Sequence, residues 1–222
     1  MTTSGPTRDL ELEVLAELED QLGRPAIVAG MDEVGRGALA GPVGVGVALV
    51  TVDSGEPPAG LNDSKKLSLA RRTDLVDPVT RWAEAVGIGY GSVELINSSG
   101  IVAGLRHAGL AALAQVPVQP DLVLLDGVHD WLTGTDLFDS RTTPQVRTVP
   151  KGDASSSVIA AASIIAKVAR DELMVRLDGE CLGYSWSSNK GYASPAHIEA
   201  LTRLGPCRHH RTAWHLPGAI HE

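Results

Sequence analysis

The sequence has few cysteines and no long apolar run. Its 222 residues include two cysteines, Cys181 and Cys207, which cannot build a disulfide framework and lack the spacing of a zinc site. No apolar run approaches the roughly 20 residues that span a bilayer, and the N-terminus is acidic where a signal peptide is basic. We therefore expect a cytoplasmic protein in a reducing compartment, neither exported nor bound to a membrane.

Positive charge is also scarce. The chain has 19 Lys and Arg against 27 Asp and Glu, a net charge of −8. Such a balance usually counts against a nucleic-acid partner, because phosphate contacts need Lys and Arg. The deficit is uneven: residues 1–24 hold two arginines and six acidic residues, so this segment carries −4 and the remainder −4. If several acids of residues 25–222 bind metal, the rest of that segment's surface is near neutral. Its basic clusters can then contact phosphate groups.

The hydrophobic pattern predicts an α/β domain. Hydrophobic residues make up 43% of the chain, enough for one large domain with a real core. Leucine and valine recur every four residues from Leu10 to Leu22, which predicts an N-terminal helix (residues 1–24) packed on a domain of residues 25–222. Strands are predicted over 26–32, 42–52, 83–93 and 121–127. Strands followed by mixed strands and helices are typical of one mixed sheet.

Helix signals fill most of the remaining chain. Ser68 is a predicted N-cap for a helix that Pro78 kinks or ends. Further helices are predicted over 98–115, over 155–177 and from Ser194 to Gly205, and residues 128–145 are loop-rich.

Acidic residues stand where the chain leaves predicted strands. Asp32 and Glu33 end one strand and Asp126 another, while Asp171 lies on a long helix near a face that should be buried. Taken singly, these acids fit a turn cap or an ion pair with Lys167, one helical turn earlier. Together they predict an oxygen-only site for Mg²⁺ or Mn²⁺, and two such ions about 4 Å apart are a known device for phosphodiester cleavage.

The segment after the paired acids is rich in glycine. Its glycines are spaced G-x-G-x-x-x-G from Gly35 to Gly41, which differs by one residue from the glycine spacing of dinucleotide-binding proteins. That motif must also be followed by a helix, whereas this segment is followed by a predicted valine-rich strand, so a dinucleotide site is disfavoured. The interpretation that remains is a turn whose backbone N–H groups approach a ligand closely, such as a substrate sugar or phosphate.

Five stretches, in this order, resemble bacterial ribonuclease HII over roughly residues 26–212. They are GMDEVGRGALAGPV, LNDSKKLS, LLDG, VPKGDASSSVIAAASIIAKVARD and NKGYASPAHIEAL. The resemblance implies an RNase H-like fold, a mixed sheet flanked by helices, with a C-terminal helical extension at about 180–222. It also implies metal-dependent cleavage of the RNA strand of RNA–DNA hybrids, and nicking 5′ of single ribonucleotides in duplex DNA that leaves 3′-OH and 5′-phosphate ends.

The resemblance implies a role for individual residues. The four catalytic and metal-binding acids of the family fall on Asp32, Glu33, Asp126 and Asp171, holding two Mn²⁺ or Mg²⁺ ions during catalysis. Its 2′-OH and phosphate contacts fall on Gly35, Arg36 and Gly37, and its sugar-stacking tyrosine on Tyr192. Two positions depart from the family pattern: Asn189 stands where histidine is common, and Ala213 where serine is usual.

Basic residues form several separated clusters. Each alone fits a solvated surface, but clusters around one acidic centre suit a nuclease that contacts phosphates without reading sequence. They are Lys65 and Lys66 with Arg71 and Arg72, then Lys151, Lys190, and the run Arg208 to Arg211. We interpret His209 and His210 as surface or phosphate contacts. The expected partners are RNA–DNA hybrids and ribonucleotide-containing duplexes, bound by a monomer.

Three alternatives remain open. One is another nuclease of the same fold, of the resolvase or integrase type, and a second is a non-catalytic nucleic-acid-binding module. The third is ribonuclease HIII, which the absence of an added N-terminal substrate-binding domain disfavours.

Overall fold

A computed structural model describes residues 5–134 and 144–219. Within them, a sheet of five strands has the order β3-β2-β1-β4-β5. The strands are β1 Val28–Val34, β2 Val43–Val50, β3 Ala85–Gly91, β4 Leu122–Asp126 and β5 Gln145–Val149. The helices are α1 Asp9–Leu22, α2 Leu69–Trp82, α3 Val93–Leu113, α4 Gly152–Ser155, α5 Ser157–Glu180, α6 Trp186–Asn189 and α7 Pro195–Leu204. The predicted mixed sheet flanked by helices is confirmed.

The directions of the strands decide which strand ends lie side by side in the sheet. β1 pairs antiparallel with β2 and β2 antiparallel with β3, whereas β1–β4 and β4–β5 are parallel. Met31 lies opposite Leu125 in the β1–β4 ladder. Because the two strands run in the same direction, the residues that follow, Asp32 and Asp126, reach the same edge of the sheet.

Each face of the sheet is covered by helices. One hydrophobic cluster joins α1, α2 and α5 to one face, and a second joins α3 to the other. Small residues let the helices approach closely: a Cβ on Gly46 would lie 2.3 Å from the Ala162 carbonyl oxygen of α5, and one on Gly89 would lie 2.0 Å from that of Ala108 in α3. A contact this short excludes a larger residue.

A third hydrophobic cluster holds the C-terminal part in place. It joins the end of α5 to α6, α7 and the turn after β1, with Trp186 completely buried and Tyr184 stacked on it at 5.3 Å between ring centroids. Ser194 caps α7 by accepting a hydrogen bond from the His197 N–H, and the helix ends before Gly205, as predicted. No helix in the described ranges is long and apolar enough to cross a membrane.

Some element predictions were wrong. α3 begins at Val93 behind the N-cap Ser92, several residues before the predicted start, and Gly100 interrupts it with a φ of 86°. α2 continues past Pro78 to Trp82 because Leu75 and Val79 on either side of the proline are buried in the core. β5 was missed, since this edge strand is only partly buried and its sequence, QVRTV, gives a weak hydrophobic pattern.

Candidate active site

Three carboxylates converge at the edge where β1 and β4 end. One oxygen from each of Asp32, Asp126 and Asp153 lies within 4.8 Å of the others. Asp32 and Asp153 are almost completely buried, and Asp126 is partly buried. Charges packed this closely and removed from water are costly unless a cation compensates them.

Local backbone geometry brings Asp153 into this group. After β5 the chain turns through Lys151, which has a left-handed φ of 56°, into the short helix α4. The Gly152 N–H donates a 2.7 Å hydrogen bond to Asp126 Oδ1, and the Gly127 N–H donates to the Val149 carbonyl at 3.0 Å. These two bonds hold the C-terminal ends of β4 and β5 together. Asp153, which comes four residues after β5, therefore lies beside Asp126 at the same end of the sheet.

The electrostatics of the cluster indicate a negative site that its cationic partner, Lys65, compensates only in part. Burial raises the pKa of Asp32 well above its ordinary value, and the charges of Asp126, Glu33 and Asp153 raise it further against a hydrogen bond with Ser163. Burial, and then the charge of Asp153, likewise raise the pKa of Asp126. A donor set made only of carboxylate oxygens fits a hard divalent cation such as Mg²⁺ or Mn²⁺.

Glu33 lies beside the cluster without belonging to it. Its carboxylate accepts a 3.3 Å hydrogen bond from Arg36, and it lines the same cavity as Asp32 and Asp126. Burial raises the pKa of Glu33, and Asp126 adds to the rise. Glu33 thus adds a further carboxylate to the cavity that Asp32 and Asp126 line.

Asp171, predicted as the fourth acid, lies elsewhere. Both of its oxygens accept hydrogen bonds from Lys167 Nζ, at 2.6 and 2.8 Å, and it lines a neighbouring cavity. The reason is distance along α5: Ser163 faces Asp32, and Asp171 comes eight residues later, about 12 Å further along the helix axis. The structure therefore corrects this prediction, and Asp153 completes the cluster.

A cavity of about 490 Å³ opens in front of the acids. Its walls include acids, the glycine-rich turn and residues of α5. They are Asp32, Glu33, Val34, Gly35, Arg36, Gly37, Ser64, Lys65, Asp126, Ser163, Lys167 and Tyr192. The structure thus brings the predicted residues Gly35, Arg36, Gly37, Lys65 and Tyr192 together around the acidic centre.

The turn and the tyrosine are joined directly. The Gly35 N–H donates a 3.1 Å hydrogen bond to the Tyr192 hydroxyl, and Gly35 has a φ of +78°, which favours glycine. A Cβ on Gly37 would meet no atom within 4 Å, so that side of the turn is open. Asn189 supports the tyrosine's loop, since it donates to the Tyr184 carbonyl at 2.7 Å and accepts from the Gly191 N–H at 2.8 Å.

The predicted basic residues fall into different environments. All three of Lys65, Lys66 and Lys151 are exposed, but only Lys65 lines the cavity, where it pairs with Asp153 at 3.0 Å. For Lys65, burial acts to lower the pKa, but Asp153 and Asp32 outweigh it and the pKa is raised. Lys190 lies on the neighbouring cavity and donates to the Ser187 carbonyl.

The interpretation of the C-terminal basic run as surface was wrong for two residues. Arg208 is exposed and pairs with Glu180 at 2.6 Å, but His210 and Arg211 are completely buried. His210 Nε2 lies 3.1 Å from His197 Nε2, and Arg211 donates to carbonyls of the turn after β1. The Arg211 contacts join residues about 175 positions apart, which a sequence pattern does not reveal.

Comparison with known proteins agrees with this geometry. The mixed five-stranded sheet with flanking and C-terminal helices is shared with solved structures of ribonuclease H2 and ribonuclease HIII, and this defines the RNase H-like fold. Ribonuclease HII of Archaeoglobus fulgidus, solved in a complex with PCNA, superposes with a TM-score of 0.65 at 25% identity, covering 84% of this chain and 93% of that one. The family model for Ribonuclease HII matches residues 29–216, and the chain belongs to this family.

Curated relatives support the assignment over most of the chain. Ribonuclease HII of Moorella thermoacetica is 46% identical over 205 residues, covering 91% of this chain and 94% of the relative. Ribonuclease HII of Streptomyces coelicolor is 45% identical over 188 residues, covering 85% and 76%. The protein is therefore an enzyme, a nuclease and hydrolase with ribonuclease H activity.

Proposed function

We propose that this enzyme cleaves the RNA strand of RNA–DNA hybrids and nicks duplex DNA 5′ of a single ribonucleotide, leaving 3′-OH and 5′-phosphate ends. The observation that carries the proposal is one cavity whose walls include Asp32 and Asp126 of the acidic cluster, the turn from Gly35 to Gly37, and Tyr192. Asp32 and Glu33 come just before the turn in the chain, so a sugar held at the turn has its neighbouring phosphate close to these acids.

In this proposal Asp32, Asp126 and Asp153, with Glu33 beside them, hold divalent cations during catalysis. Such ions, Mg²⁺ or Mn²⁺, activate a water molecule and stabilise the leaving oxygen in phosphodiester hydrolysis. The chain's own contribution is to hold the carboxylates in place, through the Gly152 N–H bond to Asp126 and the burial of Asp32 and Asp153.

Discrimination of RNA from DNA needs a contact to the 2′-OH, which both donates and accepts hydrogen bonds. Backbone groups of Gly35 to Gly37 are suited to this, because no side chain stands over Gly37. Tyr192 is 37% exposed and offers a ring for stacking against a sugar. The exposed Lys66 and Lys151, with Lys65 and Lys190, supply phosphate contacts that position a duplex without reading its sequence.

The test is a nicking assay with the variant Asp32→Asn. We expect it to lose metal-dependent nicking of a duplex with one ribonucleotide while its thermal melting shows a folded protein. Asp20→Asn removes one exposed carboxylate from α1 and serves as the matched control, which should keep wild-type activity. Retained nicking by Asp32→Asn would rule out the proposed centre.

An all-DNA duplex of the same sequence separates this proposal from a resolvase-type activity. A resolvase-type enzyme needs no 2′-OH and would act on all-DNA substrates, including four-way junctions. The proposed enzyme leaves both intact.

A further inference from the structure

We propose that Arg211 positions the turn that recognises the ribonucleotide, and so determines the preference for a 2′-OH. This inference rests on the proposed function, because it assigns a role in recognition to the turn from Gly35 to Gly37. Arg211 is buried behind the turn and does not line the cavity, so it acts as a positioning residue rather than a catalytic one.

The guanidinium of Arg211 donates to several carbonyls of one turn. Its Nη1 donates to the Arg36 carbonyl and its Nη2 to the Gly35 carbonyl, both at 2.7 Å. Its Nε and Nη2 also donate to the Gly41 carbonyl, at 3.1 and 3.0 Å. A planar guanidinium with five fixed N–H groups can hold three carbonyls at once, which the ammonium of lysine does not reproduce.

This arrangement determines where the N–H groups of the turn point. In a planar trans peptide, the carbonyl of one residue and the N–H of the next point in opposite directions. Because Arg211 draws the Gly35 and Arg36 carbonyls inward, the N–H groups of Arg36 and Gly37 face the opposite way, towards the cavity that these two residues line. Two adjacent N–H groups on the same side of a turn suit a hydroxyl or phosphate oxygen.

The burial of this charge supports a specific role. Arg211 is completely buried, and among the described residues its guanidinium contacts carbonyls and the Trp214 ring, whose centroid lies 4.8 Å from Cζ. Burial, with the nearby charge of Arg170, lowers the pKa of Arg211 to about 9. Burying a cation without a carboxylate is costly, so general packing alone does not account for an arginine here.

The backbone holds this segment in place without the side chain. The Gly41 N–H donates to the His209 carbonyl at 2.8 Å, and the Arg211 N–H donates to the Leu39 carbonyl at 2.9 Å. Neither bond uses the Arg211 side chain, so we expect both to persist when that side chain is changed. A variant can therefore fold with its C-terminal segment in place while the peptides of the turn are released.

The experiment measures duplex affinity by fluorescence anisotropy in Ca²⁺, with one probe containing a single ribonucleotide and a matched all-DNA probe. We expect Arg211→Lys to lower the affinity ratio between the two probes about tenfold, the effect of one hydrogen bond with good geometry. Its affinity for the all-DNA probe should stay within twofold of wild type. Arg203→Ala, which removes an exposed arginine from α7, is the control and should keep the wild-type ratio.

Arg211→Ala adds a second, independent measurement. Millimolar guanidinium, far below denaturing concentrations, should restore part of the affinity ratio in this variant and leave wild type and Arg203→Ala unchanged. Restoration of this kind distinguishes a positioning role from a general loss of stability, which guanidinium would worsen.

Several outcomes would overturn the inference. A folded Arg211→Lys variant with the wild-type ratio, or an equal loss of affinity for both probes, would refute it. Failure of both Arg211 variants to fold would assign the residue a structural role instead. If the wild-type enzyme shows no preference for the ribonucleotide probe, the proposed function fails. If the wild-type enzyme shows this preference and Arg211→Lys shows it to the same extent, only the role of Arg211 is refuted.

Discussion

Asp153 is the acid that the structure adds to the site, and its substitution gives the sharpest prediction. Removing its charge in Asp153→Asn should have opposite effects on stability with and without metal. At an effective dielectric of about 20, two full charges 4.8 Å apart repel by about 3.5 kcal/mol. The raised pKa values of Asp32 and Asp126 relieve part of this repulsion, and so does the ion pair of Asp153 with Lys65, whose exposed side chain makes that pair worth about 1 kcal/mol or less. Without metal, Asp153→Asn should therefore melt at a temperature equal to or a few degrees above wild type.

With metal the order should reverse. A cation at 100 times its Kd stabilises the folded state by about 2.7 kcal/mol, which for a chain of this size raises the Tm by about 5–10 °C. If loss of Asp153 weakens metal binding a hundredfold, the same metal concentration equals the Kd of the variant. The metal then stabilises the folded variant by only about 0.4 kcal/mol. The metal-induced rise should then shrink to about 1–2 °C.

The assay is a thermal melt of each protein in EDTA and in Mn²⁺ or Mg²⁺. Asp171→Asn is the matched comparison, because it removes an aspartate that pairs with Lys167 outside the cluster. We expect Asp171→Asn to keep the full metal-induced rise. A full rise in Asp153→Asn, or its loss in Asp171→Asn, would refute the assignment of Asp153 to the site.

Three further predictions concern glycine and histidine residues. Gly46→Ala should lower stability by about 1–3 kcal/mol in urea melts, because its Cβ would lie 2.3 Å from the Ala162 carbonyl oxygen. Gly37→Ala, where the space is open, should leave the urea midpoint unchanged but lower kcat/KM on a single-ribonucleotide duplex, and wild-type kinetics would contradict this. Burial, with the charge of His197, lowers the pKa of His210 to about 4. The unfolded state, with a pKa near 6.5, then binds more protons, so stability is fully present above pH 6.5 and declines as the pH falls towards 4. Urea melts between pH 7.5 and 4.5 should show this decline in wild type and a shallower one in His210→Gln; equal slopes would contradict it.

Much of the site could be predicted from strand ends. A continuous apolar run that ends in an acid locates Asp32 and Asp126, and the parallel pairing of β1 with β4 brings them to one edge. The same signal exists for Asp153, which follows β5 by four residues. It was missed because β5 is a partly exposed edge strand, whose pattern does not distinguish it from a loop.

The remaining errors come from tertiary contacts that no local pattern contains. Asp171 was assigned from its position on a buried helix face, but the distance along α5 from Ser163 decides which acids meet. Charge predicted a surface position for Arg211 and His210, yet both are buried. Their partners lie on the turn after β1 and on α7, and only the folded chain brings these together.

The central claim is tested most directly by a nicking assay on matched duplexes that contain zero, one or four consecutive ribonucleotides, in Mg²⁺ and in Mn²⁺. We predict nicks with 3′-OH and 5′-phosphate ends in the duplexes with one and four ribonucleotides, none in the all-DNA duplex, and no activity in EDTA. Cleavage of the all-DNA duplex, or failure to nick next to the single ribonucleotide in either metal, would contradict it.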